Sequence, residues 1–237
     1  MPNHLLERKP VPVSPPVLLM AAHPEGEKTE ANSRTRVLDA AEQLLGDLGL
    51  AATSVRAITS AAGVNPSAIT YHFGSKNGLV EAVYTRRFES IDRLRLQMLD
   101  RCEKLHEAGI LPLEQVVEAF LAPLLKIGGC RTIIGRMYTE PGSILPPSVV
   151  NRMNEIETRF AAALSRALPE RNSTDLGWGM VFLTGMVART TLSSGPGATL
   201  SIAAAARGGM EAIVRRMVRF ACAGLRSLPA NQPELAA

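Results

Sequence analysis

The chain has 237 residues, of which 46% are hydrophobic and only 4% aromatic, a length that suits one large domain or two small ones. Leu and Ala are abundant, so the composition excludes wholesale disorder. It favours packed helices over a β-sandwich, which draws on aromatic and β-branched residues. The formal net charge of +4 is compatible with a polyanionic partner but does not identify one.

The cysteines and the apolar segments exclude two further classes of protein. Cys102, Cys130 and Cys222 lie far apart and form no CxxC pair, which argues against a disulfide-stapled secreted fold and against a zinc site. The longest apolar stretches, 116–125 and 178–188, are too short to span a bilayer. We therefore expect a cytoplasmic protein with no membrane partner, no metal and no cofactor.

Residues 1–32 are predicted to form a flexible arm, because they contain six prolines and no helical periodicity. Prolines also interrupt the apolar run 11–22, so this run does not resemble a signal peptide. From Ser33 the pattern changes to that of an amphipathic helix, which Gly49 ends. The apolar positions at helical spacing are Val37, Ala40, Ala41, Leu44, Leu45 and Leu48.

The rest of the chain is predicted to be helical, with Gly- and Pro-containing loops between the helices. A second helix follows a Thr53 or Ser54 cap and ends at Gly63. The remaining predicted helices are Ser67–Phe73, Lys76–Leu105, Leu113–Lys126, 132–138, 149–168, 174–194 and 201–228. No alternating strand pattern of useful length occurs, so the sequence predicts an all-α fold of about nine helices with a tail after Pro229.

Two short helices joined across Gly63-Val64-Asn65 predict a helix-turn-helix. The second of these helices has a thin N-terminal end, as entry into a major groove about 12 Å wide requires. Its small or polar residues there are Pro66, Ser67, Ala68 and Thr70. Tyr71, His72 and Lys76 follow at a spacing that suits contacts with flanking phosphates.

Two segments of this region resemble the DNA-binding domain of the TetR family of bacterial transcriptional repressors. They read RVLDAAEQLLGDLGLAATSVRAITSAAGV and NPSAITYHFGSKNGLVEAV, and the YHFGSK run is the most specific part. The resemblance implies that Thr53, Tyr71, His72 and Lys76 contact the DNA backbone. It also implies base-edge contacts from Pro66, Ser67, Ala68 and Thr70. Arg56, a further candidate contact, replaces an acidic residue common in the family.

The same resemblance implies the domain organisation. After the arm, residues 33–83 would form the DNA-binding domain, which a long helix joins to an effector-binding and dimerisation domain over 84–228. Residues 229–237 would be a flexible tail. The YTRRF run from Tyr84 and the IDRL run from Ile91 are similar to a subgroup that includes fatty-acid-responsive repressors. This similarity implies a small apolar effector of the acyl type.

Met and aromatic residues in the C-terminal part are candidates for the wall of an effector pocket, since Met adapts its shape to ligands. The candidates are Phe120, Leu124, Met137, Tyr138, Phe160, Trp178, Phe182 and Met186. Ordinary core packing is the alternative for each of them. Small residues at Gly177, Gly179, Ala188 and 203–209 would allow two helices of each subunit to form a four-helix dimer interface.

These observations predict a homodimeric repressor that binds a double-stranded, palindromic operator and is released by a small-molecule effector. An architectural or effector-independent DNA-binding protein is the alternative. The sequence contains no Ser-His-Asp, HExxH or phosphate-loop pattern, so no catalytic residue is assigned and an enzyme is not expected.

Overall fold

The computed structural model describes residues 24–107, 109–126, 131–141, 144–191 and 209–230. Within these ranges the chain forms nine helices, and its one strand-type pairing is an isolated antiparallel bridge between Arg171 and Ala230. The helices are α1 (Pro24–Leu48), α2 (Val55–Ala62), α3 (Ser67–Phe73), α4 (Lys76–Leu105), α5 (Leu113–Lys126), α6 (Arg131–Thr139), α7 (Pro147–Ala167), α8 (Ser173–Thr191) and α9 (Gly209–Arg226). The predicted all-α fold is confirmed.

The first helix begins nine residues earlier than predicted, at Pro24 instead of Ser33. Residues 24–32 were expected to belong to the flexible arm, because they show no apolar periodicity. Pro is nevertheless well suited to a first helical turn, and Glu has a high helix propensity. The rest of the predicted arm, the end of the tail and residues 192–208 lie outside the described residues.

The helices α1, α2 and α3 pack with the N-terminal half of α4 around a small apolar core. Val37 of α1, Ile58 of α2, Ile69 of α3 and Leu79 of α4 are all buried in it. An ion pair between Arg87 of α4 and Glu42 of α1 also joins these two helices. This arrangement holds α3 against the bundle by its apolar side.

Helix α4 is 30 residues long and continues from this N-terminal unit into a second unit. There α5 packs against α4 and α9, and ten of its 14 residues are buried. Helix α6 packs against α8 on one side and against α1 on the other. The two units are therefore connected by α4 through the backbone and by α6 through packing.

Candidate nucleic-acid interface

The turn between α2 and α3 is built around Gly63, which has a φ of +61°. Its amide donates to the Ser60 carbonyl at 3.1 Å, and the next amide, that of Val64, donates to the Thr59 carbonyl at 3.0 Å. A Cβ at Gly63 would lie 2.6 Å from Nη2 of Arg36. The left-handed backbone therefore favours glycine here, and a side chain at this position would also displace the Arg36 guanidinium.

Arg36 of α1 fixes this turn from outside. Its Nη2 donates to the Gly63 carbonyl at 2.9 Å and also to the Ala62 carbonyl. These carbonyls end α2 and have no partner within that helix. The hydrogen bonds therefore hold the end of α2, and with it the start of α3, in a fixed position relative to α1.

One face of α3 points away from the bundle. Pro66, Ser67, Thr70 and Tyr71 are exposed, and Tyr71 keeps 69% of its surface accessible. Ile69, on the opposite face, is only 2% exposed. The structure thus brings the residues predicted to contact bases together on an outer surface. Ala68 lies half-buried at its edge, and Arg56 is exposed on α2.

Ser67 contributes to this surface with a hydroxyl that already has a partner. Its Oγ donates to Oδ1 of Asn65 at 2.9 Å, and its amide donates to the same oxygen at 2.9 Å. This Asx-type turn begins α3 in place of a side-chain cap, because the cap position is occupied by Pro66. The Ser67 hydroxyl oxygen remains free to accept a hydrogen bond.

His72 and Lys76, both predicted to contact phosphates, are half-buried and have protein partners. Nε2 of His72 lies 2.7 Å from Oγ of Ser33, in the first half of α1. Nζ of Lys76 donates to the Leu50 carbonyl at 3.0 Å. An ammonium group has three donors, so Lys76 keeps two for a phosphate. The Leu50 carbonyl also explains why a lysine is tolerated at the positive end of α4.

Thr53 differs from the expectation that it contacts the DNA backbone. Its side chain is 1% exposed, and its hydroxyl donates to the Gly49 carbonyl at 2.6 Å and the Leu44 carbonyl at 3.2 Å. The hydroxyl is therefore unavailable to a phosphate. The exposed hydroxyl at the start of α2 is that of Ser54, which caps the helix by accepting from the Ala57 amide at 3.1 Å.

The predicted effector-pocket residues separate into two groups. Phe120, Leu124, Met137 and Phe160 are buried, and the rings of Phe120 and Phe160 meet edge to face at 5.2 Å. Tyr138 and Met186 are half-buried. Trp178 and Phe182 instead lie on the outer face of α8 and are 57% and 59% exposed. The structure therefore does not place these two with the core group.

A buried arginine, which the sequence analysis missed, lies inside the core group. Arg95 of α4 is 1% exposed, and its guanidinium carbon is 4.3 Å from the ring centroid of Phe120 and 5.2 Å from that of Phe160. Its Nη1 donates to Oδ1 of Asp92 at 3.1 Å. Burial raises the pKa of Asp92, although the charge of Arg95 opposes the shift. The helical spacing of Phe88, Asp92, Arg95 and Leu99 was the available signal, since it places both charges on the apolar face.

Two family models match the chain and together cover more than half of it. The model described as bacterial regulatory proteins, tetR family, matches residues 37–83. The model described as the tetracyclin repressor-like C-terminal domain matches residues 118–224. The chain belongs to the TetR family. It is therefore a DNA-binding transcriptional regulator, and the helix-turn-helix of α2 and α3 is its TetR-type DNA-binding element.

A curated relative and solved structures agree with membership of the TetR family. The HTH-type transcriptional regulator UidR of Escherichia coli K12 is 23% identical over 166 residues, which are 65% of this chain and 83% of UidR. A TetR-family transcription regulator from Shewanella sp. PV-4 has a TM-score of 0.57 at 16% identity, over 84% of this chain and 99% of its own. A bacterial regulatory protein of the same family from Rhodococcus RHA1 has a TM-score of 0.53 at 16% identity, over 84% and 98%. These structures show the fold.

Membrane-spanning helices and metal-binding clusters are both absent from the described residues. No helix in the described ranges is long and apolar enough to cross a membrane. In the same parts of the chain, no three His, Cys, Asp or Glu side chains come together in a way that could hold a metal ion.

Proposed function

We propose that this TetR-family regulator is a ligand-responsive repressor that binds a palindromic operator as a homodimer. In this proposal α3 enters the major groove, and Pro66, Ser67, Ala68 and Thr70 approach base edges. Phosphates would be contacted from both sides of α3, by Arg56, Tyr71, His72 and Lys76. The observation that carries the proposal is the exposed face of α3, opposite a buried Ile69.

An exposed apolar surface on α8 and α9 supports the homodimer. Trp178, Val181, Phe182 and Phe220 are each more than half exposed. Phe182 and Phe220 line a groove of about 570 Å³ between the two helices. A contiguous apolar surface of this kind usually marks an interface. Because an isologous interface uses the same patch on both subunits, α8 and α9 of two copies would form a four-helix contact.

The glycines of α8 have different roles in this picture. Gly179 is buried within the subunit, where an added Cβ would lie 2.5 Å from Cδ2 of Leu225. Gly177 and Gly185 face open space and would let a partner helix approach closely. The buried Ala188 is turned toward the subunit's own core. Of the predicted small-residue face, Gly179 and Ala188 are therefore buried within the subunit, and Gly177 would serve packing between subunits; residues 203–208 of this face lie outside the described residues.

The core around Arg95 supports an apolar effector of the acyl type with a hydrogen-bond-accepting head group. Phe120, Leu124 and Phe160 provide apolar surface. Nε and Nη2 of Arg95 have no acceptor in strict hydrogen-bond geometry among the described residues, although the Tyr138 phenol interacts with the guanidinium. Buried donors without a partner are costly. A carboxylate or thioester carbonyl would supply a further acceptor, in a ligand whose chain replaces part of the core packing.

The base-reading role of α3 is tested by comparing Ser67→Ala and Thr70→Ala on the operator and on random duplex DNA. Each change should cost about 1–3 kcal/mol on the operator and much less on random DNA, because base contacts carry the sequence information. Thr158→Ala, an exposed threonine on α7, is the matched control and should bind both duplexes as wild type does. Equal losses on both duplexes would contradict the proposed roles.

The effector is tested by thermal unfolding and by release of bound DNA, with free fatty acids of graded chain length. A ligand that binds only the folded state raises the melting temperature. We expect both effects to depend on chain length. If no acid shifts melting or releases DNA while a cationic or sugar ligand does, the acyl class is wrong. If no ligand of any class has either effect, the effector-independent alternative is favoured.

A further inference from the structure

Helix α6 ends with two charged side chains that cross from the second unit to the DNA-binding unit. Arg136 donates from Nη2 to the Asp47 carbonyl at 3.0 Å and from Nε to the Gly46 carbonyl at 3.4 Å. Glu140, one residue beyond the helix, accepts at Oε1 from the Leu50 amide at 3.0 Å. Together the two side chains hold the last turn of α1 and the loop that follows it.

Leu50 connects the contact made by Glu140 to the proposed DNA interface. Its amide donates to Glu140, and its carbonyl accepts from Nζ of Lys76 at 3.0 Å. One backbone residue thus lies between a carboxylate of the second unit and an ammonium group at the start of α4. Because Nζ of Lys76 is tied to this carbonyl, a displacement of Leu50 displaces the ammonium group as well.

The loop around Leu50 is shaped for this carboxylate. Gly49 has a φ of +83°, which ends α1 in the left-handed region. A Cβ at Gly49 would overlap Oε1 of Glu140 and would also lie 3.8 Å from Cδ of Arg136. Glycine is therefore required at this position for the approach of Glu140 as well as for the backbone conformation.

Helix α6 also faces the core in which the effector would bind. Ile133, Ile134 and Met137 are buried, and they lie on the same short helix as Arg136. A rigid nine-residue helix cannot move its buried side without moving its polar end. The positions of Arg136 and Glu140 therefore depend on how the core is packed.

We propose that Glu140 and Arg136 are positioning residues for DNA binding, which set the place of the Lys76 ammonium group through the backbone of Leu50. The proposal rests on the proposed function in one respect, the contact of Lys76 with a phosphate. It adds a route by which repacking of the second unit changes affinity for DNA: α6 shifts, Leu50 follows, and Lys76 no longer meets its phosphate.

Glu140→Ala and Glu140→Gln form a matched pair for the test. Both remove the same negative charge, but glutamine keeps an oxygen that can accept from the Leu50 amide. We expect Glu140→Ala to bind duplex DNA roughly three- to tenfold more weakly than Glu140→Gln, the size of one lost hydrogen bond. Its logarithmic salt slope should be smaller by about one unit, as for the loss of one phosphate contact.

A double-mutant cycle with Lys76→Ala separates positioning from a general structural effect. In a Lys76→Ala background, Glu140→Ala should cause little further loss of affinity, because both changes remove the same contact. Equal losses with and without Lys76, or identical affinities and salt slopes for Glu140→Ala and Glu140→Gln, would overturn the proposal. Glu107→Ala is the control for the loss of a negative charge. Glu107 is exposed beyond the end of α4, so this variant should bind DNA at least as tightly as wild type.

The hydrogen bond between the Leu50 amide and Glu140 can be measured without DNA, by hydrogen exchange of that amide. Exchange should be faster in Glu140→Ala than in Glu140→Gln, since only the alanine variant lacks the acceptor. Equal exchange rates would overturn the positioning role even if DNA binding is confirmed. Slower exchange in Glu140→Gln, combined with a protein that binds no duplex DNA, would instead confirm the contact and count against the proposed function.

Discussion

The guanidinium carbon of Arg95 lies 4.3 Å from the centroid of the Phe120 ring, in the interior of the second unit. Arg95 is also paired with Asp92 at 3.1 Å, and both side chains are only 2% exposed. The charge of the guanidinium is therefore stabilised by a carboxylate and by aromatic faces instead of water. Each of these two buried charges is therefore destabilising unless the other is present.

Removing one member of this pair should destabilise the fold strongly. We expect Arg95→Met to lower the free energy of unfolding by about 3–5 kcal/mol, because the buried Asp92 carboxylate then keeps only the more distant Arg152, whose Nε lies 3.8 Å from Oδ2, as a counter-charge. The double variant Arg95→Met with Asp92→Leu should recover most of the loss. Urea unfolding at fixed protein concentration measures both. A single variant within about 1 kcal/mol of wild type would show that the pair is not a buried charge pair.

Stability at acid pH should depend on Glu103, near the end of α4. Arg159 of α7 donates from Nη1 to its Oε1 at 2.7 Å, and Nη1 of Arg166 lies 3.1 Å from the same oxygen. The hydrogen bonds from Arg159, together with both positive charges, lower the pKa of Glu103 below its usual 4.5. A lowered pKa in the folded state contributes stability that is present above pH 4.5 and is lost as pH falls through the folded-state pKa.

Glu103→Gln removes this contribution. The variant should be about 1–2 kcal/mol less stable than wild type at pH 7, and the difference should narrow below pH 4.5. The measurement is the free energy of unfolding from pH 7 to pH 3. Glu118→Gln, at an exposed glutamate on α5, serves as the control and should follow wild type. Parallel curves for Glu103→Gln and wild type over the whole range would contradict the assignment.

Thr53→Val should affect stability and leave DNA binding unchanged. The variant keeps the shape of the side chain but loses the hydrogen bonds to the Gly49 and Leu44 carbonyls, at a cost of about 1–2 kcal/mol. Thermal unfolding and DNA affinity are measured on the same sample. Weaker DNA binding with unchanged stability would restore the backbone contact that the family resemblance implies for Thr53.

The proposed dimer depends on the exposed aromatic side chains of α8 and α9. A glutamate at Phe182 or Phe220 would place a charge in the centre of the interface, where desolvation is expensive. Sedimentation equilibrium at micromolar concentration should give twice the 25.4 kDa chain mass for wild type and a single chain mass for Phe182→Glu. Leu105→Glu, on an exposed leucine at the end of α4, is the control and should remain dimeric. A monomeric wild type would exclude the dimer.

The DNA-binding element could be predicted from the sequence, because the patterns that define it are local. The Gly63 turn, the short α3 and the start of α4 depend on residues close together in the chain, so their bounds could be derived from spacing alone. The 30 residues of α4 were predicted for the same reason, since its apolar pattern is unbroken. The family resemblance then assigned roles to the exposed residues of α3.

Features that depend on distant parts of the chain were not predictable in this way. Composition does not distinguish Trp178, which is exposed on α8, from Phe160, which is buried, because both are aromatic residues in helices. The ion pair on the apolar side of α4 contradicts the usual polar-out pattern and becomes intelligible only beside the rings of α5 and α7. The contact between Glu140 and Leu50 joins residues 90 positions apart, which no local pattern reports.

The central claim is that two copies of this chain read a symmetric site with their α3 helices. Selection of binding sites from a pool of random duplexes tests it most directly. We expect enrichment of a near-palindrome whose half-sites are separated by about one helical turn or a multiple of it. Thr70→Ala should relax the preference within each half-site. Enrichment of a single half-site without symmetry, or no enrichment over the starting pool, would contradict the claim.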